Sequence, residues 1–144
     1  MKKTFAFLAV MILGVSLVVI SSCKKDQPVP DYPQLIGSWT GTTSQGASIT
    51  FWVDNIKGNL YVESYHVTVY TSTGTQDYQA INSAGIVALS STTFRIPLGT
   101  GSSGPSYIDG IFDLTNNSLT GNFAVYAAGN NVDIITGTYL AEKK

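Results

Sequence analysis

The sequence predicts an all-β domain, an antiparallel meander of eight or nine strands that forms a small barrel or a two-sheet sandwich. From Leu35 onward, Val, Ile, Thr, Tyr and Phe recur with a period of two, which is the spacing of half-buried strands. Clusters of Gly, Asn and Ser separate these runs at intervals of about 8–12 residues, as in all-β barrels and sandwiches. No apolar repeat at helical spacing interrupts the runs, which argues against βαβ units.

Each predicted strand is a run of alternating residues bounded by turn-forming residues. In the second run, Ile49, Phe51 and Val53 alternate with residues of the opposite face and indicate a strand with one buried side. The following Asn55–Gly58 segment favours positive φ or an Asx turn, so we expect a four-residue hairpin loop there. Pro97 lacks an N–H group and therefore needs an edge position or a β-bulge. The predicted strands are residues 35–43, 49–54, 59–71, 76–82, 85–90, 94–98, 108–114, 118–127 and 132–141.

Residues 1–22 have the composition of a cleaved signal peptide. Lys2 and Lys3 give a positive start, and Phe5 to Ile20 is an apolar run. At about 1.5 Å per residue, this run makes about 24 Å of helix, which is shorter than the roughly 30 Å hydrocarbon core of a bilayer. Removal of the leader is therefore a better interpretation than a permanent membrane span.

The leader ends in Ile20-Ser21-Ser22-Cys23, a sequence that resembles the lipobox of bacterial lipoproteins. The resemblance implies that a diacylglycerol is attached to the Cys23 thiol and that a signal peptidase cuts before this residue. Acyl chains on Cys23 then hold the protein at a membrane. The alternative is an ordinary signal peptide in which Cys23 has no role. Cys23 is the only cysteine of the chain, and it lies where the apolar run ends.

Residues 23–34 predict a tether between this cysteine and a folded domain of residues 35–144. Three prolines within Pro28–Pro33 favour an extended, polyproline-like chain. At about 3.1 Å per residue, such a tether spans up to about 34 Å. By resemblance to lipoprotein sorting rules, Lys24 after the cysteine favours the outer membrane of the cell envelope, with the periplasmic and the surface-exposed side both open.

The composition excludes several classes of function. With 8 basic and 9 acidic residues and a formal net charge of −1, the chain lacks the basic surface that binds nucleic acid. One cysteine rules out an internal disulfide and a thiolate metal cluster, and one histidine rules out His-rich zinc sites. We therefore expect no nucleic-acid partner, no metal and no cofactor.

The sequence predicts no catalytic residue. His66 would be the base of any Ser-His-Asp site, but it lies within a predicted strand and no G-x-S-x-G elbow accompanies it. Gly99–Gly104 matches G-x-G-x-x-G, yet Pro105 and another strand follow it, where a dinucleotide site needs a helix. We interpret this segment as a hairpin loop. An enzyme that uses His66 is the third alternative for function.

The segment Gly37–Gly41, with Trp39 at its centre, is similar to the G-x-W opening of lipocalin-like and calycin-like domains. The closing run Thr136–Tyr139 and the small size also resemble lipocalin-like lipoproteins of Bacteroidota. The resemblance implies an antiparallel barrel in which Trp39 plugs one end, and it implies the carriage of a small apolar ligand inside that barrel. Read from its own chemistry, Trp39 is a large core residue at the start of the first strand.

One aromatic constellation is a candidate site. With a four-residue loop before the third strand, Trp52 faces Tyr61 across a hairpin and shares an outer face with Tyr65. A change in apolar parity along that strand requires a bulge near residues 64–66, which turns His66 outward beside the rings. The candidate ligand-binding residues are Trp52, Tyr61, Tyr65 and His66.

Flat rings with hydrogen-bonding neighbours suit sugar stacking or contact with a protein. The alternative is a cross-strand aromatic pair that only stabilises the sheet, by about 0.2–1 kcal/mol. We therefore expect a lipid-anchored, non-enzymatic binding module that contacts a glycan or an envelope protein. The lipocalin-like carrier of a small apolar ligand is the alternative.

Overall fold

The computed structural model describes residues 31–72, 74–127 and 133–144 of the chain. These residues form one sheet of nine antiparallel strands that curls into a half-barrel. Their only helical segment is a short 3-10 turn at Pro33–Leu35. The prediction of an all-β antiparallel fold is confirmed. The predicted signal peptide, Cys23 and the tether as far as Pro30 lie outside the described residues.

The nine strands are β1 Gly37–Thr43, β2 Ser48–Ile56, β3 Asn59–Thr71, β4 Gly74–Ile81, β5 Val87–Ala88, β6 Thr93–Gly101, β7 Gly104–Asp113, β8 Ser118–Tyr126 and β9 Ile134–Lys143. Each matches a predicted strand, with bounds that differ by a few residues. β6 and β7 are longer than predicted because their hairpin continues to the Gly101–Gly104 pair. The segment that we interpreted as a loop is therefore mostly strand, and only Ser102 and Ser103 form the turn.

The hydrogen-bonded order of the strands is β4-β3-β2-β1-β9-β8-β7-β6, so the first strand pairs with the last. β3 is 13 residues long, and along one side it pairs first with β5 at Tyr61–Val62 and then with β4 at Ser64–Thr71. β4 and β6 are the edges of this order, and they do not pair with each other in the described part of the chain. We call the gap between β4 and β6 the seam.

The β2–β3 hairpin is tighter than the sequence suggested. Ile56 pairs with Asn59, which leaves a two-residue turn at Lys57 and Gly58. Both turn residues have positive φ, 55° and 91°, as two-residue hairpin turns that match the strand twist require. The Asn55 side chain accepts a 2.8 Å hydrogen bond from the Gly58 N–H group. The predicted four-residue loop is therefore wrong, and every cross-strand pair beyond it changes.

Pro97 occupies the kind of position that its missing N–H group demands. It lies in β6, which is an edge strand, and the pairing of β6 with β7 shifts register between Pro97 and Gly99. Gly99 has a φ of 136°, which an L side chain rarely adopts. Both parts of the prediction, the edge and the bulge, are confirmed.

Trp39 lies in the core at the start of β1, as its chemistry suggested. Its side chain is 1% exposed, and its indole packs edge-on against Phe112 with 4.8 Å between the ring centroids. The indole N–H group donates a 2.9 Å hydrogen bond to the carbonyl oxygen of Leu35. The neighbouring carbonyl oxygen of Gln34 accepts a hydrogen bond from Lys143 Nζ in β9. The segment before β1 is therefore fastened to this end of the sheet from two sides.

Aromatic rings fill the interior around Trp39. Phe51 contacts Phe94 and Tyr139 with centroid separations of 5.3 and 5.4 Å, and Phe94 contacts Phe112 at 5.8 Å. Rings at these separations and tilts attract one another beyond simple burial. The inner side of the sheet at this end is thus occupied by the protein's own side chains.

The pairing of β7 with β8 is interrupted at Asp109 and Gly110. The register runs from Ile108–Phe123 to Ile111–Thr120 without a pair between them. Instead, the Tyr139 hydroxyl donates a 2.6 Å hydrogen bond to the Asp109 carbonyl oxygen, and the Asn122 N–H group donates to the Asp109 carboxylate at 2.9 Å. The Tyr139 side chain of β9 therefore replaces part of the missing hydrogen bonding between β7 and β8.

Candidate functional site

A β-bulge in β3 determines which side chains face outward. Val53 pairs with Val62 and Trp52 pairs with Ser64, so Glu63 is the additional residue. The sequence placed this bulge near residues 64–66, one or more positions too late. The apolar parity changes at Glu63, so that Tyr65 points inward and His66 points outward.

The structure keeps three of the four candidate residues on the outer side of the sheet and turns Tyr65 inward. Trp52 is 43% exposed and His66 also faces solvent. Tyr65 is only 9% exposed and packs with the core. Tyr61 pairs with Asp54 instead of Trp52, and Gly85 lies so close that a Cβ atom there would be 2.5 Å from the Tyr61 ring. The predicted pairing of Trp52 with Tyr61 and the predicted outward position of Tyr65 are therefore wrong, because the turn length and the bulge position alter the register.

What remains outside is a single tryptophan surrounded by polar groups and one aliphatic side chain. Across β2, β3 and β4, Trp52 lies beside Ser64 and Ser64 beside Ile81, which is 81% exposed. In the adjacent row, Thr50 lies beside His66 and His66 beside Gln79. We call this surface the Trp52 face, and it consists of Thr50, Trp52, Ser64, His66, Gln79 and Ile81.

His66 is held in place by a carboxylate on β4. Its Nε2 atom lies 3.0 Å from Asp77 Oδ1, and the Thr68 hydroxyl donates a 2.7 Å hydrogen bond to the same oxygen. These two hydrogen bonds, that from Thr68 first, hold the pKa of Asp77 below its ordinary value. Asp77 therefore stays ionised at neutral pH and fixes the orientation of the imidazole.

No described residue forms a hydrogen bond to the His66–Asp77 pair as a nucleophile would. Among the described residues, Asp77 is the only side chain that forms a hydrogen bond with the His66 ring. A Ser-His-Asp mechanism needs a hydroxyl on the second imidazole nitrogen. The nearby Thr68 hydroxyl donates to the carboxylate instead. The pair is suited to binding polar ligand groups.

A cleft lies in the seam between β4 and β6. It has a volume of about 440 Å³. Its walls carry three tyrosines from different strands, with polar and apolar side chains between them. The residues that line this seam cleft are Tyr65, Asp77, Tyr78, Gln79, Leu98, Gly99, Thr100, Ser106 and Tyr126.

Sequence reasoning missed Tyr78 and Tyr126, two tyrosines of the seam cleft whose hydroxyls bond to main-chain carbonyl groups. The Tyr78 hydroxyl donates to the main-chain carbonyl oxygen of Tyr126, and the Tyr126 hydroxyl donates to that of Gly104. Tyr78 is 48 residues from Tyr126 in the chain, so no local spacing relates them. Only the order of the strands brings them together.

In residues 31–72, 74–127 and 133–144, no group of three or more His, Cys, Asp or Glu side chains is arranged to hold a metal ion. No helix within these ranges is long and apolar enough to cross a membrane.

Comparison of the chain with protein-family models, with curated proteins and with solved structures finds no match.

Proposed function

We propose that this protein is a lipid-anchored, non-enzymatic binding module of the cell envelope, and that it holds a glycan against the Trp52 face. The observation that carries the proposal is the 43% exposure of the Trp52 side chain on β2, at one side of a surface that continues across β3 and β4. Full burial of a tryptophan side chain contributes on the order of 3 kcal/mol of hydrophobic stabilisation. Trp52 obtains only part of this energy because its ring is partly exposed. A ligand that covers it would recover that energy.

The groups around the ring favour a sugar over an apolar ligand. The hydroxyls of Thr50 and Ser64, the imidazole of His66 and the amide of Gln79 offer both donors and acceptors. A sugar presents an apolar C–H face for the indole and hydroxyls for these neighbours. The outer surface of β2, β3 and β4 carries these groups side by side, so an extended chain of sugar units can contact several of them.

The predicted lipid anchor supports the location. An acylated Cys23 and an extended tether would place the domain close to a membrane, where envelope glycans and envelope proteins are concentrated. A Cys23→Ser variant is expected to leave the membrane fraction and appear in the soluble fraction. If it remains with the membranes in the same proportion as the parent protein, the anchor is wrong.

The carrier alternative requires an empty interior. Around Trp39 the interior contains the rings of Phe51, Phe94, Phe112 and Tyr139 at centroid separations of 4.8 to 5.8 Å. An apolar ligand would have to displace these rings. The packing of this end therefore supports a binding surface on the outside of the domain in preference to a ligand within it.

The proposal is tested by glycan binding with matched tryptophan and tyrosine variants. Full-length protein in detergent is applied to an array of envelope polysaccharides and oligosaccharides, and the affinity of each binder is then measured by titration calorimetry. Trp52→Ala is expected to reduce affinity at least tenfold. Tyr70→Ala removes a 49% exposed ring outside the Trp52 face and is expected to leave affinity unchanged.

Two outcomes would contradict the proposal. If no glycan binds, or if Trp52→Ala and the parent protein bind equally, the Trp52 face does not bind glycan. Retention of an envelope protein that Trp52→Ala no longer retains would instead favour the protein partner. The midpoint of thermal unfolding must be similar in both variants, which separates a loss of binding from a loss of folding.

A further inference from the structure

The seam cleft has the size and construction of a small-molecule site. Its volume of about 440 Å³ lies within the range of roughly 300–1,000 Å³ that is usual for ligand pockets. β3, β4, β6, β7 and β8 all contribute side chains to its walls. A site formed by five strands of one sheet is positioned by the fold and does not depend on a mobile loop.

Hydrogen bonds within the protein hold the walls in position. Ser106 is 5% exposed, and its hydroxyl donates a 2.9 Å hydrogen bond to the carbonyl oxygen of Ala124. The Tyr78 and Tyr126 hydroxyls also donate to main-chain carbonyl oxygens. The cleft is therefore organised before any ligand arrives, which reduces the entropic cost of binding.

Tyr65 differs from these residues because its hydroxyl is open to the solvent of the cleft: among the described residues, no side-chain oxygen that is shielded from solvent lacks a hydrogen-bond partner. Its side chain is 9% exposed and lines the cleft, and its hydroxyl forms no hydrogen bond with any described residue. Burial raises the pKa of the Tyr65 phenol, so the group is protonated at neutral pH and can donate as well as accept. The phenol is thus available to a ligand.

The remaining free groups are polar and carry little charge. Asp77 is the only charged side chain of the lining, and both of its hydrogen bonds are made by Oδ1, which leaves Oδ2 as an acceptor. Gln79 and Thr100 add an amide and a hydroxyl. The carboxylate disfavours an anion, and the number of polar groups disfavours an apolar ligand because they would be desolvated without partners.

We propose that the seam cleft binds one or two neutral sugar units, with the Tyr65 hydroxyl, Gln79 and Thr100 as hydrogen-bonding partners and Leu98 against the apolar side of the ring. This inference deepens the proposed function and rests on it. A hollow of about 520 Å³ lies beside Trp52 between β2, β3 and β4, and Gln79 and Tyr65 line both this hollow and the seam cleft. A glycan lying on the Trp52 face would end in the cleft. The cleft would then select the terminal sugar.

The test uses neutral mono- and disaccharides that are too short to cover both surfaces. Full-length protein is titrated with glucose, galactose, mannose, N-acetylglucosamine and the corresponding disaccharides, and binding is followed by NMR chemical shifts. Tyr65→Phe removes one oxygen atom and is expected to weaken the best binder about three- to tenfold, the value of one hydrogen bond. Tyr70→Phe removes an exposed hydroxyl outside the cleft and is expected to have no effect.

A second variant guards against an effect of Tyr65→Phe on folding. Thr100 is exposed at the mouth of the cleft, so Thr100→Trp is expected to block the cleft without disturbing the core and to abolish sugar binding. The inference is overturned if no neutral sugar binds, or if tetramethylammonium or a uronic acid binds the cleft more tightly than every neutral sugar. It is also overturned if Tyr65→Phe and Thr100→Trp both bind as the parent protein does.

The two proposals fail in different ways. If the cleft binds a terminal sugar, Trp52→Ala will lower the affinity for a long glycan and leave the affinity for a monosaccharide unchanged. If Trp52→Ala weakens the glycan while the cleft variants change nothing, the proposed function stands and the cleft inference fails. If only the cleft variants weaken binding, the cleft inference stands and the Trp52 face fails.

Discussion

The Tyr139 hydroxyl of β9 donates a 2.6 Å hydrogen bond to the Asp109 carbonyl oxygen of β7, across the intervening strand β8. Gly121 on β8 makes this possible, because a Cβ atom there would lie 2.6 Å from the Tyr139 hydroxyl and 1.9 Å from the Asp109 carbonyl oxygen. The side chain thus fastens two strands that are not neighbours. It does so where the ladder between β7 and β8 is interrupted.

Removal of this hydroxyl should destabilise the domain without changing its fold. Tyr139→Phe keeps the ring against Phe51 and leaves the Asp109 carbonyl oxygen without its donor. We expect the free energy of unfolding to fall by about 1–3 kcal/mol in urea titrations. Tyr70→Phe removes an exposed hydroxyl and is the control. An unchanged midpoint for Tyr139→Phe would show that the bond contributes nothing.

The same residue predicts sensitivity to alkali. Burial, and to a smaller degree the negative charge of Asp109, raises the pKa of the Tyr139 phenol. The folded state therefore keeps this proton when the unfolded chain loses it, so the stabilisation is complete below about pH 10 and declines as the pH rises further. The free energy of unfolding of Tyr139→Phe should decline less steeply above pH 10 than that of the parent protein. Equal slopes would contradict the assignment.

Asp77 predicts the opposite behaviour in acid. In the folded state the pKa of Asp77 is lowered from 3.8, mainly by the Thr68 hydroxyl and then by His66. The contribution of Asp77 to stability is therefore present above pH 3.8 and is lost as the pH falls through the folded pKa. Thr68→Val should raise the pKa of Asp77 toward 3.8, as followed by carboxyl ¹³C shifts in an NMR titration. Ser48→Ala is a suitable control, because Ser48 contacts Thr68 but not Asp77. A rise in both variants would point to a cause other than this hydrogen bond.

The two tryptophans should differ in their effect on stability. Trp39→Ala removes a side chain that is 1% exposed together with its hydrogen bond to Leu35, and we expect a loss of about 3–5 kcal/mol. Trp52→Ala removes a half-exposed ring, and we expect a change of about 1 kcal/mol or less. Guanidinium unfolding of the two variants measures the difference. A loss at Trp52 as large as that at Trp39 would place the Trp52 ring in the core and remove it as a binding surface.

The strands were predictable because their signals are local. The two-residue alternation around Phe51 and the requirements of Pro97 depend only on neighbouring residues, and both were read correctly. The register was not predictable in the same way. The sequence permits a loop of two or four residues between β2 and β3. The four-residue loop would place Trp52 opposite Tyr61, whereas the two-residue turn together with the bulge at Glu63 places it opposite Ser64.

The candidate site was predicted only in part. His66 faces outward as expected, because the change in parity that reveals the bulge lies within β3. Tyr65 was assigned to the wrong side, because the bulge lies at Glu63 instead of further along the strand. The seam cleft had no local signal, since Tyr78 and Tyr126 meet only after nine strands have been ordered.

The contact of Lys143 with Gln34 brings the leading segment and the final strand to the same end of the half-barrel, where the Lys144 N–H group also donates to Ser38 at 3.0 Å. The Ser102–Ser103 turn lies at the other end, beside the part of the seam that Leu98 and Thr100 line. A membrane or a solid surface attached through the residues before Asp31 would therefore lie at the Gln34–Lys143 end of the domain and leave the mouth of the cleft unobstructed. A fluorescent tag fused after Lys144 would lie close to that surface, whereas a label inserted at Ser102–Ser103 would report on ligands that approach the cleft.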